Sequence, residues 1–162
     1  GKPAMQFERH DLNELVDTSV QRQRQMLGNS NTQIDFQPAP SALPVNVERP
    51  RIVQVLDNLL NNAIKYTPEG GQIVVTTTRD NGWAQVQVTD PGIGIPTNDL
   101  PKIFTPFFRG SNASSRNFSG LGLGLYLSKG LVEAHSGQLG VESVEGEGTT
   151  FVLSLPLEED SG

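Results

Sequence analysis

The chain has 162 residues, with 12 basic and 18 acidic side chains, a formal net charge of −6 and an isoelectric point of about 4.8. This length suits one domain, and so acidic a chain is a poor candidate for a nucleic-acid binder, which usually presents a basic face. The absence of cysteine excludes disulfides, thiolate zinc sites and cysteine nucleophiles, and neither a signal peptide nor an apolar run near the roughly 20 residues of a membrane span is present.

The N-terminal part of the chain predicts a helix followed by a short strand. Residues 12–27 carry apolar side chains at helical spacing. Asp11 is predicted as the N-cap, with Glu14 three residues later as in a capping box, and Gly28 ends the helix. Residues 33–37 alternate as a strand. The domain is predicted to comprise residues 1–162, with residues 1–10 as a linker or a remnant of cloning.

The middle of the chain predicts a loop, a helix and a hairpin. Residues 38–44 are rich in proline and alanine, and the second helix is predicted from about Pro50 to Tyr66, with proline in its first turn. Residues 72–78 and 83–89 are predicted strands on either side of the turn 80–82, whose Asp-Asn-Gly sequence is typical of hairpins.

The C-terminal part predicts a loop, a third helix and two strands. Residues 107–119 lack periodicity and predict a mobile loop, and residues 121–135 predict a helix. Residues 138–144 and 149–155 predict two closing strands. This order of elements predicts an α/β fold in which helices cover one face of a mixed β-sheet.

The second predicted helix carries a polar stripe beside its apolar face. The apolar face comprises Ile52, Val55, Leu56, Leu59, Leu60, Ala63 and Ile64. The stripe consists of Asn58, Asn62 and Lys65, at spacings of four and three. Because asparagine is a mediocre helix former, the stripe suggests that Asn62 holds a phosphate-bound Mg²⁺ while Lys65 reaches a phosphate oxygen. The alternative is a solvated polar face, and the flanking Asp57 and Asn61 are predicted to face solvent.

A carboxylate continues the apolar face of the second hairpin strand. Ala84, Val86 and Val88 share that face. Asp90 follows at the same spacing, and an inward aspartate is costly unless it is paired or hydrogen-bonded. The following segment 91–95 contains two glycines, which allow close approach to a ligand. The pattern fits a carboxylate that accepts from the amine of adenine and rejects guanine; the alternative is an aspartate that only caps its turn.

Three alternating glycines, Gly120, Gly122 and Gly124, precede the third predicted helix. Exposed amides at a helix N-terminus bind phosphate, and glycine permits close contact. The run is not a Walker A loop, because no lysine-serine or lysine-threonine pair closes it, and it does not match the dinucleotide-binding spacing. The alternative is a flexible hinge anchored by its leucines.

Five segments, in this order, resemble the conserved boxes of sensor histidine kinases. Residues 58–66 resemble the N box, 90–95 the first glycine box, 104–109 the F box, 120–124 the second glycine box and 146–151 the closing motif. The resemblance covers nearly all of residues 12–156. It implies a two-layer α/β sandwich in which ATP lies between helices under a mobile lid, residues 107–119.

The resemblance also implies roles for single residues. Asn62 would hold Mg²⁺ and form the catalytic set with Lys65 and Arg109. Arg109 would steady the γ-phosphate, and Lys65 and Tyr66 would contact the phosphate and the lid. Asp90 would read adenine, and Asn58 would lie on the phosphate side. The implied ATP-binding residues are Asn58, Asn62, Lys65, Tyr66, Asp90, Gly92, Gly94, Ile95, Phe107, Arg109, Gly120, Leu121, Gly122, Leu123, Gly124 and Leu125.

On this resemblance, the chain is expected to be the ATP-binding catalytic domain of a two-component protein-histidine kinase. It would deliver the γ-phosphate to a histidine on a dimerisation domain that this chain lacks. His10 and His135 are not in the family's phosphoacceptor context and are predicted to be structural or solvent-exposed, so the isolated chain should not autophosphorylate. The expected partners are the dimerisation domain and a response regulator, with a monomeric domain in a homodimeric kinase that is cytoplasmic or anchored in the inner membrane.

Two positions depart from the family pattern, and several alternatives stay open. Ser136 follows His135 where glycine is usual, and Glu48 stands where aspartate is common. Gyrase-type, mismatch-repair and chaperone ATPases of the same superfamily use a catalytic glutamate in the N-box helix, where this chain offers Asp57 and asparagines. A protein-serine kinase of the anti-sigma type is closer. A nucleotide-binding module without turnover and a scaffold with purely structural glycines are the remaining alternatives.

Overall fold

The computed structural model describes residues 6–106, 108 and 124–158. In chain order the elements are β1 (Glu8–Asp11), α1 (Leu12–Leu27), β2 (Thr32–Gln37), β3 (Pro44–Val47), α2 (Arg49–Lys65), β4 (Gly71–Asp80), β5 (Trp83–Asp90), a 3-10 helix (Thr97–Lys102), α3 (Gly124–Ala134), β6 (Gln138–Val144) and β7 (Gly148–Pro156). None of the helices in these residues is long and apolar enough to cross a membrane.

Five strands form a mixed sheet in the order β2-β4-β5-β7-β6. The β2–β4 pair is parallel, and the other neighbours are antiparallel. The inward side chains of β5 and β7 lie opposite one another, as in the pair Val86 and Leu153, and both are fully buried. They join the apolar faces of α1 and α2 in one core, which confirms the predicted two-layer α/β architecture.

The first helix has the bounds predicted from its periodicity. The Asp11 Oδ1 atom accepts hydrogen bonds from the backbone N–H of Asn13 (3.0 Å) and of Leu43 (2.9 Å), so this N-cap also holds the loop before β3. Gly28 ends the helix with a φ of 54°, a left-handed conformation that glycine tolerates. Glu14 pairs with Arg49 of α2, so its carboxylate ties two helices together.

Two short strands and one helical turn were not predicted. Strand β1 begins within residues 1–10, which were expected to be a linker, and it pairs antiparallel with β3, with His10 opposite Val45. Its four residues are all polar, so no alternation marks them as a strand. The 3-10 helix contains Pro101 and lies in a segment for which no helix or strand was predicted. Residues 8–10 therefore belong to the folded domain.

The prediction that Asp57 faces solvent was wrong. Its Oδ1 accepts from the hydroxyl of Ser19, and its Oδ2 pairs with Arg22, both on α1. Ser19 is fully buried, so burial of its hydroxyl requires a partner. Asp57 therefore joins α1 to α2, and its carboxylate is engaged in these contacts instead of standing free as the catalytic glutamate of the alternative ATPases would.

Replacing Ser136 with glycine is expected to raise the free energy of unfolding by about 0.5–1 kcal/mol. Ser136 has a φ of 61° just past α3, and Gly137 N–H bonds to the Val132 carbonyl (2.9 Å), as in a helix C-terminal cap. Glycine removes the steric cost of this left-handed conformation. Part of that gain in free energy is offset because glycine loses more conformational entropy on folding than serine does. Urea denaturation at pH 7.5 measures the difference, with Ser143→Gly as a destabilising control; an equal loss in both would contradict the prediction.

Candidate nucleotide site

The asparagine stripe lies along the side of α2 next to α3. Asn58 and Asn62 are half-buried and Lys65 is exposed at the end of the helix. Asn58 Nδ2 donates to the hydroxyl of Ser128 on α3 at 3.1 Å. The stripe is therefore not simply a solvated face, because its first member binds a neighbouring helix.

The second glycine box meets the same stripe where the described chain resumes. A Cβ atom added to Gly124 would lie 4.0 Å from Asn58 Cγ, so the start of α3 is beside the N box. Leu125 packs partly buried against the core. The remaining predicted members of this box, and of the lid, lie outside the described residues: Phe107, Arg109, Gly120, Leu121, Gly122 and Leu123. Their roles stay predictions.

The start of the predicted F box is held in place by contacts of Phe104. Phe104 makes an edge contact with Phe151 of β7, with ring centroids 6.5 Å apart. Lys129 of α3 lies over the same Phe104 ring, with its Nζ 5.2 Å from the centroid, within the range of a cation–π interaction. The segment before residue 107 is therefore tied to both α3 and the sheet.

The first glycine box packs directly against the end of α2. The carbonyl of Tyr66, which caps α2, accepts from the backbone N–H of Ile93 at 3.0 Å. A Cβ atom on Gly92 would lie only 1.8 Å from that same carbonyl oxygen. Glycine is therefore needed at position 92 so that the loop can approach the helix end.

The other side of this loop is held by the turn between β6 and β7. Gly94 has a φ of 71°, and a Cβ there would lie 2.2 Å from the carbonyl oxygen of Val144. The backbone N–H of Ile95 donates to Ser143 Oγ at 2.8 Å, and Gly146 N–H donates to the Ile93 carbonyl at 2.8 Å. Ser143 was not singled out from the sequence, although its position on the inward face of β6 after Leu139 and Val141 was a usable signal.

Asp90 is a buried carboxylate at the end of β5, only 3% exposed. Its Oδ1 accepts from the backbone N–H of Gly92 at 2.9 Å, and the backbone of Thr149 also bonds to it. Burial raises the pKa of Asp90 to about 6, against the opposing effect of the hydrogen bonds from Gly92 and Thr149. Asp90 therefore caps its own turn, as the second interpretation expects, and it also lies buried on the apolar face of β5; its contact with adenine stays a prediction. A carboxylate has about four lone-pair sites, so it retains capacity for a ligand.

Binding of the adenine base is expected to weaken about tenfold between pH 7.5 and pH 5. The pKa of Asp90 is raised to about 6, so the carboxylate is charged above that pH and gains a proton as the pH falls through it. The protonated acid is a poorer acceptor for the exocyclic amine. Titration with adenosine, which has no phosphate, followed by NMR isolates this effect. An affinity that is constant from pH 7.5 to pH 5 would contradict it.

The two histidines lie away from these residues. His135 is 5% exposed; its Nε2 accepts from the backbone N–H of Glu48 at 3.2 Å, and its Nδ1 is 2.7 Å from the Leu131 carbonyl oxygen. This confirms the structural role predicted for His135. His10 is half-buried, with Nε2 3.7 Å from a carboxylate oxygen of Glu8.

Within the described ranges, no group of three or more histidine, aspartate or glutamate side chains could hold a metal ion.

Sequence comparisons show which known proteins this chain is similar to. A family model described as histidine kinase-, DNA gyrase B- and HSP90-like ATPase matches residues 47–159. Sensor histidine kinase WalK of Bacillus subtilis (strain 168) is 41% identical over 120 residues, 73% of this chain and 20% of WalK. Sensor-like histidine kinase SenX3 of Mycobacterium tuberculosis (strain ATCC 25618 / H37Rv) is 36% identical over 146 residues, 90% of this chain and 35% of SenX3. The chain thus spans between a fifth and about a third of these relatives.

Solved structures lead to the same assignment. The catalytic domain of histidine kinase ThkA superposes with a TM-score of 0.81 at 32% identity, covering 94% of this chain and 97% of that domain. Full-length ShkA in complex with AMPPNP has the same fold, with a TM-score of 0.85 at 22% identity, covering 100% of this chain and 33% of ShkA. These relatives favour the sensor-kinase interpretation over the anti-sigma alternative. The chain belongs to the histidine kinase-, DNA gyrase B- and HSP90-like ATPase family and is a catalytic domain of the sensor histidine kinase type.

Proposed function

We propose that this domain binds ATP with Mg²⁺ and transfers the γ-phosphate to a histidine on a dimerisation domain of the same kinase. The observation that supports it most directly is Asp90, a buried carboxylate with a raised pKa beside a loop fixed on both sides. Perturbed ionisable groups of this kind concentrate at functional sites. In the proposed complex the charged carboxylate accepts from the adenine amine, and guanine is rejected because it has a carbonyl at that position.

The phosphates are proposed to lie along the α2 stripe toward the start of α3. Asn62 would offer its amide oxygen to Mg²⁺, and Lys65, on the solvent side, would reach a phosphate oxygen. When bound, Mg²⁺ neutralises phosphate charge, and it usually takes one or two protein ligands together with phosphates and water. The shortage of acidic clusters in the described residues fits a metal that is brought by the nucleotide. Phosphoryl transfer then depends mainly on positioning and electrostatic stabilisation.

The proposed partners of the reaction rest on the observation that the relatives are much longer than this chain. This chain covers a small part of WalK and SenX3, so the phosphoacceptor histidine would lie in another segment of the kinase. Gly92, Gly94 and Ile95 would line the adenine side. Tyr66 would contact the phosphates and the lid, and Arg109 of the lid would steady the γ-phosphate. We propose that the domain acts in the cytoplasm as a monomeric module of a homodimeric kinase and that the phosphohistidine passes its phosphate to a response regulator.

The first experiment is calorimetric titration of the domain with a non-hydrolysable ATP analogue and with GTP, each with Mg²⁺ or with EDTA. The proposal expects binding of the adenine nucleotide, strengthened by Mg²⁺, and little response to GTP. Addition of a separate dimerisation domain from a sensor kinase of this family with labelled ATP should then give acid-labile phosphohistidine. Equal binding of both nucleotides would refute the adenine assignment, and label on serine would favour the anti-sigma alternative.

An Asn62→Ala variant is expected to lose about tenfold of the Mg²⁺-dependent gain in nucleotide affinity. Alanine removes the amide oxygen proposed to bind the metal and favours the helix, so the fold should be kept. Calorimetry with and without Mg²⁺ measures the gain as a ratio of two dissociation constants. Asn61→Ala is the matched control, because Asn61 is the neighbouring asparagine on the same helix and is also half-buried. If both variants keep the gain of the parent, Asn62 is not the metal ligand.

A further inference from the structure

Ser128 places a buried hydroxyl at the contact between α3 and the asparagine stripe. Its side chain is fully buried, and it accepts the 3.1 Å hydrogen bond from Asn58 Nδ2. Of the described residues of α3, only Ser128 and Val132 are buried. A buried hydroxyl costs free energy unless it has a partner, so alanine would suffice if this position only packed helices. The polar choice indicates that the contact with Asn58 matters.

The hydrogen bond fixes which atom of the Asn58 amide remains for a ligand. A carboxamide has a donor nitrogen and an acceptor oxygen on opposite arms. With Nδ2 directed to Ser128, Oδ1 points away from that hydroxyl. An amide oxygen repels phosphate oxygens but accepts from a donor, and Mg²⁺ usually keeps several bound waters that donate strongly.

We propose that Ser128 is a positioning residue that orients Asn58 so that its Oδ1 accepts a hydrogen bond from a water on the nucleotide-bound Mg²⁺. This inference rests on the proposed function and adds a second contribution to metal binding beside that of Asn62. It changes the role expected for Asn58, from a residue on the phosphate side to one that recognises the hydrated metal. Asn58 and Asn62 are one helical turn apart, which suits one direct ligand and one water-mediated contact.

The contact has a matched counterpart elsewhere in the domain. Ser154 of β7 is also buried, at 6% exposure, and accepts from an amide nitrogen, Nε2 of Gln85, at 3.2 Å. It alternates with the inward Leu153 and Leu155 and therefore belongs to the opposite face of the sheet from the helices. Ser154→Ala thus removes the same kind of hydrogen bond without touching α2 or α3.

The test compares the dissociation constant of ADP with Mg²⁺ and with EDTA for Ser128→Ala, Ser154→Ala and the parent. The expected result is an about tenfold smaller Mg²⁺-dependent gain for Ser128→Ala, an unchanged affinity in EDTA, and no change for Ser154→Ala. Asn58→Ala should lower the gain similarly, and the double variant Asn58→Ala/Ser128→Ala should lose no more than Asn58→Ala alone, because Ser128 acts through Asn58.

Other outcomes overturn the inference. An equal loss of affinity with and without Mg²⁺ would mean that Ser128 only packs α3 against α2. Additive losses in the double variant would show that Ser128 does not act through Asn58. If the parent binds ADP but gains nothing from Mg²⁺, the metal role fails with the proposed function, whereas a Mg²⁺ gain lost in Asn62→Ala and kept in Ser128→Ala refutes this inference alone.

Discussion

An Asp90→Asn variant is expected to bind ATP about a hundredfold more weakly than the parent, a loss of roughly 2.7 kcal/mol of binding free energy. The backbone N–H groups of Gly92 and Thr149 bond to the carboxylate. In the variant they would attract the amide oxygen and turn the NH₂ group toward the adenine amine. Two donors would then face each other in a buried site, and sites built for one hydrogen-bonding partner strongly reject a mismatched one.

The same variant is expected to be more stable than the parent at pH 7.5, by roughly 1–3 kcal/mol in the free energy of unfolding. Because burial raises the pKa of Asp90 to about 6, from an ordinary value of 3.8, the folded state binds the proton more readily than the unfolded state. The contribution of Asp90 to the stability of the parent is therefore greatest below pH 3.8 and is lost as the pH rises through 6. Asparagine has no such titration, so the advantage of the variant should shrink below pH 5.

Urea denaturation at pH 5 and pH 7.5, together with calorimetry, measures both effects on the same protein. Asp80→Asn is the matched control, since Asp80 is an exposed aspartate at the other end of the same hairpin. It should change neither the affinity nor the stability difference between the two pH values. Weaker binding joined to lower stability at pH 7.5 would mean that Asp90 serves the fold and not the ligand.

The parts of the fold that the sequence predicted are those with long, regular patterns. Helix α2 shows its apolar face over 17 residues. The hairpin β4–β5 shows alternating strands on either side of an Asp-Asn-Gly turn, and in the structure Asn81 and Gly82 adopt the positive φ values that such a turn requires. Strands β1 and β3 have four residues each and pair across more than 30 positions, so no local pattern reveals them. Short strands depend on a partner that only the fold supplies.

The candidate site also contains residues that a local pattern indicates and residues that only tertiary contacts indicate. Asp90 could be identified because it interrupts a regular apolar face within its own strand. The residues that support the site, Ser128, Ser143 and Thr149, come from elements far along the chain, and each is a common polar residue whose partner is distant. Asp57 was misassigned for the same reason, because its partners on α1 lie more than 30 residues away. Their roles follow from tertiary packing and not from local sequence.

A Gly92→Ala variant is expected to lower ATP affinity about a hundredfold and the free energy of unfolding by about 1–3 kcal/mol. The added methyl group would lie 1.8 Å from the Tyr66 carbonyl oxygen and 2.9 Å from Asp90 Oδ1. Both are parts of the site itself, and the first is backbone, so the loop must move away from α2. That movement breaks the Ile93–Tyr66 hydrogen bond and the bond from the Gly92 N–H that orients Asp90.

Gly130→Ala provides the comparison that separates steric conflict from loss of glycine. Gly130 lies in α3 with nothing within 4 Å of an added Cβ atom, so alanine there should raise stability by up to about 1 kcal/mol through its helix propensity and leave ATP affinity unchanged. Urea denaturation and calorimetry on the two variants test the contrast. If Gly92→Ala binds ATP as tightly as Gly130→Ala does, the first glycine box need not touch the N-box helix for nucleotide binding, and the site would have to be placed without that contact.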